Sequence, residues 1–216
     1  MKGNFAVMGL GIFGSKLAVE LSNSGHYVVA VDIDPAAIAE IKDKVSTAII
    51  ADVSNADTVK ELDVSKFTTI VLSMSSHFEN QIIALTLLKQ EGAVNVIAKA
   101  KSPLQKRILL RLGASEVVLP DFDVAERYAK RLSMSNITDM LDFKGGTIAD
   151  VAVPEEMNGN SIRELDLRNR FNVTVLLISK QGEENRTVWS PNIILETGDK
   201  LTIFGQEKDI VKAFQR

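Results

Sequence analysis

Apolar and polar positions follow two different rhythms along the chain, and the change between them divides it. Over the first two-thirds, short apolar runs alternate with stretches whose apolar residues recur at helical spacing. Phe5 to Met8, Tyr27 to Val31, Thr47 to Ala51, Thr68 to Ser73, Asn95 to Lys99 and Glu116 to Leu119 read as six strands. Such runs suit strands covered on both faces. Between them, helical patterns run through Phe13, Leu17 and Leu21, from Pro35 to about Asp43, and from Ala56 to Leu62. A capping box, Ser76-His77-Phe78-Glu79, opens a helix to about Glu91, and Ser102-Pro103 opens one ending near Gly113. Strands alternating with helices predict an α/β fold with a doubly wound parallel sheet, whose ligands bind at the carboxyl ends of the strands.

The rhythm changes near the middle. Pro120-Asp121 opens a helical stretch lasting to roughly Leu141, with an apolar stripe of Ala125, Tyr128, Ala129 and Leu132 that needs a partner. Asp142-Phe-Lys-Gly-Gly-Thr then marks the expected boundary between a domain of residues 1–141 and one of 142–216. Beyond it, Thr147 to Val153 alternates like a half-buried strand, and Ser161-Ile-Arg-Glu164 is a second capping box, opening a helix to about Arg170. Val173 to Ser179, a turn at 181–185, the return Thr187 to Trp189, Ile193 to Leu195 and Lys200 to Phe204 read as strands, closed by a helix to Phe214. This predicts a small α+β lobe with a mostly antiparallel sheet. A core that small favours pairing with a second copy.

The first strand leads into Gly9, Gly11 and Gly14, in the G-x-G-x-x-G spacing. The first glycine permits a tight turn, the second lets a pyrophosphate approach bare backbone, and the third lets helix pack on strand. The helix start offers N–H groups and a positive dipole end to phosphates. Asp32 ends the second strand, near the ~20-residue offset expected of an acid that binds ribose hydroxyls and repels a 2′-phosphate. The context makes this a Rossmann-like nucleotide site rather than a bare glycine turn. Asp34 precedes Pro35 and reads first as a helix cap.

Composition removes several chemistries. The 216 residues carry a net charge of −3, and no basic run is long enough to form a nucleic-acid or lipid patch. With no cysteine, disulfides, thiolate catalysis and zinc-thiolate sites are excluded. No apolar run approaches the ~20 residues of a membrane span, and the start lacks a signal-peptide pattern, so a cytoplasmic protein is expected.

Candidate catalytic groups are scarce. His26 lies in the turn before the second strand, at the wrong end of the sheet, and His77 follows the fourth strand at the correct end but inside a capping box. Lys99 ends the fifth strand, where it serves phosphate, an acid or a plain salt bridge equally well. Asp52 and Val53 end the third strand, where an adenine edge would lie, though Asp52 reads equally as a loop carboxylate. Asp121 reads first as a helix N-cap. Neither a metal-ligand spacing nor a nucleophile elbow is visible.

Several motifs then combine: Val-Met-Gly-Leu-Gly-Ile-Phe-Gly, Val-Ala-Val-Asp-Ile-Asp, Ile-Ala-Asp-Val, Ile-Ala-Lys-Ala, Leu-Gly-Ala-Ser-Glu-Val-Val-Leu-Pro, Asn-Gly-Asn-Ser-Ile-Arg-Glu-Leu-Asp-Leu-Arg and Leu-Glu-Thr-Gly-Asp-Lys-Leu-Thr-Ile-Phe-Gly. Together they resemble, over essentially the whole chain, the Trk/Ktr-type peripheral potassium-transport subunits built from one RCK (regulator of potassium conductance) domain. The resemblance implies a regulator rather than an enzyme: a cytoplasmic subunit at the inner face of the membrane. Such subunits form dimers and then a ring, usually of eight domains, on a membrane potassium transporter. An adenine nucleotide, ATP/ADP or NAD(H), would sit with phosphates at Gly9, Gly11 and Gly14, ribose at Asp32, adenine by Asp52 and Val53, and Lys99 near the phosphates. Ile12 and Phe13 at the helix start, and Ile33 and Ser73 at the ends of the second and fourth strands, complete the cofactor-binding set.

In some relatives the acid matching Asp121 helps hold a divalent cation at the dimer interface, and some bind cyclic di-AMP between paired C-terminal lobes, where Arg168 offers a contact. The helices after Asp121 would be a crossover exchanged between protomers. One departure stands out: ATP-sensing members often carry Arg where this chain has Ile12, with Lys16 one turn along. Two other classes compete, a small NAD-dependent oxidoreductase and a nucleotide-responsive transcription regulator. The first lacks a convincing proton donor and the second a basic recognition element.

Overall fold

The structure, a computed structural model, describes residues 2–74, 77–133, 136–180, 186–187 and 190–214. Six strands, β1 (Asn4–Met8), β2 (Tyr27–Asp32), β3 (Thr47–Ile50), β4 (Thr69–Leu72), β5 (Val96–Lys99) and β6 (Glu116–Val118), form one parallel sheet in the order β3-β2-β1-β4-β5-β6. β1 sits at the centre because its residues Ala6, Val7 and Met8 are wholly buried, which requires cover on both faces. Helices α1 (Ile12–Asn23) and α2 (Pro35–Ile41) pack Ala18, Ile38 and Ile41 against Val7 and Ala30 on one face. Helices α3 (Ala56–Glu61), α4 (Phe78–Gln90) and α5 (Pro103–Arg111) pack Val59, Leu85, Leu88 and Leu109 against Ala6, Met8 and Leu72 on the other. Each predicted strand is present to within a residue or two. Strand order reverses between β1 and β4, which opens a crevice at the carboxyl ends of both.

The helix starts follow the cap chemistry. Asp34 accepts from the Ala36 N–H at 2.9 Å with Pro35 next to it, and Ser102 accepts from the Gln105 N–H at 3.2 Å. Ser76 lies outside the described residues. α4 starts after His77, which makes no side-chain cap bond.

Compact units comprise residues 1–121 and 122–216. Helix α6 (Pro120–Ser133) begins with the last two residues of the first unit and supplies the start of the second, and Asp121 is its second residue rather than the cap expected before it. The second unit carries β7 (Ile137–Phe143), β8 (Gly146–Ala152), α7 (Ile162–Leu165), α8 (Leu167–Phe171), β9 (Thr174–Ser179), β10 (Arg186–Thr187), β11 (Lys200–Gly205) and α9 (Glu207–Phe214). Its sheet is antiparallel in the order β10-β9-β11-β8-β7, with α9 supplying the buried Ile210, Ala213 and Phe214.

Here four expectations need correcting. The helix predicted to reach Leu141 ends at Ser133, and Ile137–Phe143 is an edge strand. Its register slips between Ile137 and Asp139, so the inward residues are Ile137 and Met140. That three-residue spacing imitates a helix. The glycine pair 145–146 lies at the β7–β8 turn inside the second unit, with Gly145 at φ 106°. The helix predicted from Ser161 to Arg170 breaks at Asp166, which is left-handed at φ 44° and lets Leu165 and Leu167 both turn inward. Finally, Ile193 to Leu195 contributes only an isolated bridge, Ile194 to Ser161. The second capping box is present: Ser161 accepts from the Glu164 N–H, and Glu164 accepts from the Ser161 N–H at 2.8 Å. The return strand is described only as Arg186–Thr187; Trp189 lies outside the described residues.

Candidate functional site: a nucleotide cleft at the strand ends

The glycine loop owes its turn and its close packing to Gly9 and Gly14. Gly9 has φ +96°, and a Cβ there would come within 2.8 Å of the Met74 nitrogen. A Cβ on Gly14 would lie 1.9 Å from the Gly9 carbonyl oxygen, so only glycine lets α1 approach the loop this closely. A Cβ on Gly11 would meet nothing within 4 Å. The first two glycines that matter sterically therefore build the turn, and the middle one leaves its backbone bare toward the crevice. Gly11 is the N-cap residue of α1 and no side chain caps that helix, so its first turn faces outward with its dipole uncompensated.

Asp32 ties this loop to the second strand. Its Oδ2 accepts from the Leu10 N–H at 2.5 Å and its Oδ1 from the Asp34 N–H at 2.9 Å. A carboxylate has about four acceptor positions, so roughly two remain for a ligand's hydroxyls. The loop's own amide thus fixes the orientation of the acid before any ligand arrives.

A cavity of about 380 Å³ lies in the crevice, within the size range of small-molecule sites. Gly9, Gly11, Asp32, Ile33, Asp52, Val53 and Ser73 of the predicted set all line it. The remaining walls are Val31, Asp34, Ala51, Met74, His77 and Asn80. Asp52 accepts from the Ser54 N–H and hydroxyl at 2.9 and 2.6 Å, so it is a locally satisfied loop carboxylate that also faces the cavity. Among the described residues, no Lys or Arg lines this cavity.

Ile12, Phe13, Lys99 and Asp121 fall elsewhere. They line a second hollow of about 480 Å³ on the far side of the start of α1, with Lys16 and Pro120. The Lys99 ammonium sits 5.7 Å from the centroid of the Phe13 ring, a cation–π distance. Ile12 is 97% exposed, and Lys16 pairs with Glu20 at 2.6 Å one turn along its own helix. His26 is at the opposite end of β2, where its Nδ1 accepts from the Gly3 N–H at 3.0 Å.

Sequence reasoning passed over Met74, Asn80 and Gln81. Asn80 follows His77 by three residues at the start of α4, a helical spacing that could have paired them. Gln81 is wholly buried; its Nε2 donates to the Leu72 carbonyl at 3.3 Å and the Lys99 carbonyl at 2.8 Å, fastening the ends of β4 and β5. Its Oε1 has no partner among the described residues. A polar side chain in the apolar face of a helix was the available signal.

The crevice brings together a bare-backbone turn, an oriented acid and the wall at the end of β3, an arrangement with the size and polar groups to take a nucleotide. A metal is a different matter. Among the described residues no group of three or more His, Asp or Glu side chains is placed to hold one, and Asp121 shares its hollow with one other acid, Glu20, and two lysines. A divalent cation does not fit Asp121 within a single chain.

The TrkA-N domain family matches residues 5–120 and the TrkA-C domain family residues 147–216. The Ktr system potassium uptake protein C of Bacillus subtilis (strain 168) is 28% identical over 219 residues, covering 100% of this chain and 98% of the relative. Protein A of the Ktr system of Vibrio alginolyticus is 29% identical over 204 residues, covering 94% and 92%. Among solved structures, the GsuK RCK domain aligns at a TM-score of 0.67 and 18% identity, over 100% of this chain and 48% of that one. The GsuK channel bound to NAD gives the same score and identity over 100% and 39%. At that identity the likeness is one of fold, and this chain spans less than half of either solved chain. No helix among the described residues is long and apolar enough to cross a membrane.

Proposed function

We propose, for a chain that belongs to the family joining a TrkA-N to a TrkA-C domain, that it is a regulatory subunit of a potassium uptake transporter. It senses an adenine nucleotide in the cleft and acts from the cytoplasmic face of the membrane. The observation that carries this reading is the end-to-end likeness to Ktr potassium uptake proteins, together with a cleft holding nucleotide-binding groups and no catalytic constellation among the described residues. In this reading Gly11 and the first turn of α1 take the phosphates, Asp32 the ribose, and the wall of Ala51, Asp52 and Val53 the adenine. Phe13 and Lys99 lie across the glycine loop, where they would meet the distal end of a ligand long enough to reach past Ile12.

Copies of the chain pair and assemble into a ring on the membrane subunit, with the uncovered stripe of α6 as a contact between copies. A divalent cation at Asp121 would need acids from a second copy, and Arg168, exposed on α8, is the residue to test for cyclic di-AMP. A nucleotide moves such a ring only as far as its affinity differs between the ring's two states.

Calorimetry with ATP, ADP, NAD⁺ and NADH tests the reading. At least one binds, and Asp32→Ala weakens binding about tenfold, the loss of one charge-assisted hydrogen bond. A chain that stays monomeric, ignores all four and leaves potassium uptake unchanged in cells carrying a Ktr-type membrane subunit sinks it.

A further inference from the structure

Helix α6 is built the wrong way round for a helix that packs on its own lobe. None of its residues is buried, although Phe122, Tyr128 and Leu132 are large and apolar and are 49%, 45% and 78% exposed. At about 100° per residue these three fall on one stripe with Ala125 and Ala129. Lys130 projects from nearly the opposite side, and that side faces the rest of the second unit. Its Nζ lies 3.1 Å from Asp142 on β7 and 3.1 Å from Glu207 at the start of α9, with Glu126 of its own helix at 3.6 Å. Asp142 is held in place by the Thr147 hydroxyl, which donates to its other oxygen at 2.7 Å. One ammonium thus joins a helix, a hairpin and a second helix.

We propose that Lys130 is the positioning residue of α6. By holding the charged side of the helix against β7 and α9, it turns the apolar stripe outward and makes α6 move as part of the C-terminal lobe. Any change of angle between the two compact units is then taken up before Phe122, not at the glycine pair 145–146. Without the latch, the stripe is free to roll inward or the helix to fray. A surface ion pair by itself does little, but three carboxylates converging on one partly covered ammonium are a network with defined geometry. The ammonium keeps its proton more firmly than an ordinary lysine, first through the Asp142 hydrogen bond and then through Glu207.

The chain has no cysteine, so Leu132→Cys on α6 and Lys208→Cys on α9 give two clean spin-label sites. The distance distribution between them is expected to be narrow in the full-length chain. Lys130→Met broadens it and speeds amide exchange along α6 about tenfold, while exchange in β1 to β6 and nucleotide affinity stay unchanged. Lys130→Arg keeps the distribution narrow, and pairing Lys130→Glu with Glu207→Lys restores part of it. High salt broadens it in the chain with Lys130 intact, a reading that needs no further variant. A distribution as narrow in Lys130→Met as in its parent, or one indifferent to salt, overturns the proposal.

Discussion

The six-stranded sheet of the first unit and the five-stranded sheet of the second bury their side chains in different ways. In the first unit all strands are parallel, and Ala6 to Met8, Val28 to Val31 and Ile70 to Leu72 are buried whichever way they point. A shift of one residue would leave such a strand equally apolar, so the reading tolerates error. In the second unit β8 has a wet face and a dry face: Thr147, Ala149 and Val151 turn inward while the residues between them are half-exposed. Alternation there carries the information, and a register slip erases it. The slips fall between Ile137 and Asp139 and between Thr202 and Ile203. A buried parallel sheet announces its fold in its apolar runs, whereas a half-solvated antiparallel sheet hides the elements around it.

The sharpest way to separate the two units is at Gly14. A methyl group added there would sit 1.9 Å from a backbone oxygen, which nothing nearby can relieve. Gly14→Ala is expected to destabilise the first unit by on the order of 4 kcal/mol. Hydrogen exchange would show β1 and β4 losing protection while β8 and β11 keep theirs. Loss of protection in both sheets together would mean that the units fold as one, and the comparison would fail.

The reciprocal change is Ile203→Ala. Ile203 is wholly buried between β8 and β9, and its truncation is expected to cost about 3 kcal/mol, from the second unit alone. Nucleotide affinity should survive, because none of the cleft residues belongs to that sheet. A parallel fall in nucleotide affinity would show that the cleft depends on the lobe for its shape.

The candidate site was legible for the same reason as the first sheet, and illegible in the same places as the second. Gly9 and Gly14 are fixed by sterics, so their spacing is visible in any sequence that makes this turn, while a Cβ on Gly11 would meet nothing and only the motif marks that position. Asp32 was visible because it ends a strand whose position was certain. Lys99 also ends a strand, yet it falls on the other side of α1, since a strand end does not say to which side of the loop a long side chain leans. Asn80 and Gln81 are invisible by spacing to the glycine motif because they come from a helix that reaches the crevice only through the sheet topology. Lys130 belongs to this class too. Its partners are 12 and 77 residues away, and nothing local marks it among the other lysines of a solvated helix.

The smallest predicted effect is also the one that tells the units apart without a mutation. Asp142 has its pKa lowered, first by the Thr147 hydroxyl and then by the Lys130 ammonium. A carboxyl lowered by folding contributes stability above its unfolded value of ~3.9 and loses it as pH falls through the folded value. Lys130 is shifted the other way, so its contribution is complete below ~10.4 and is lost only as pH rises through its folded value, far into base. Acid therefore opens the Asp142 arm of the latch and mild base does not. No comparable network of ion pairs holds α1 to α5 on the parallel sheet among the described residues; apolar contacts do. On lowering pH from 7 toward 3, α6 should lose exchange protection before β1, β4 or β5 does, and raising pH to 9 should change neither. If the parallel strands open first in acid, the electrostatic hold on α6 is not what distinguishes the two units.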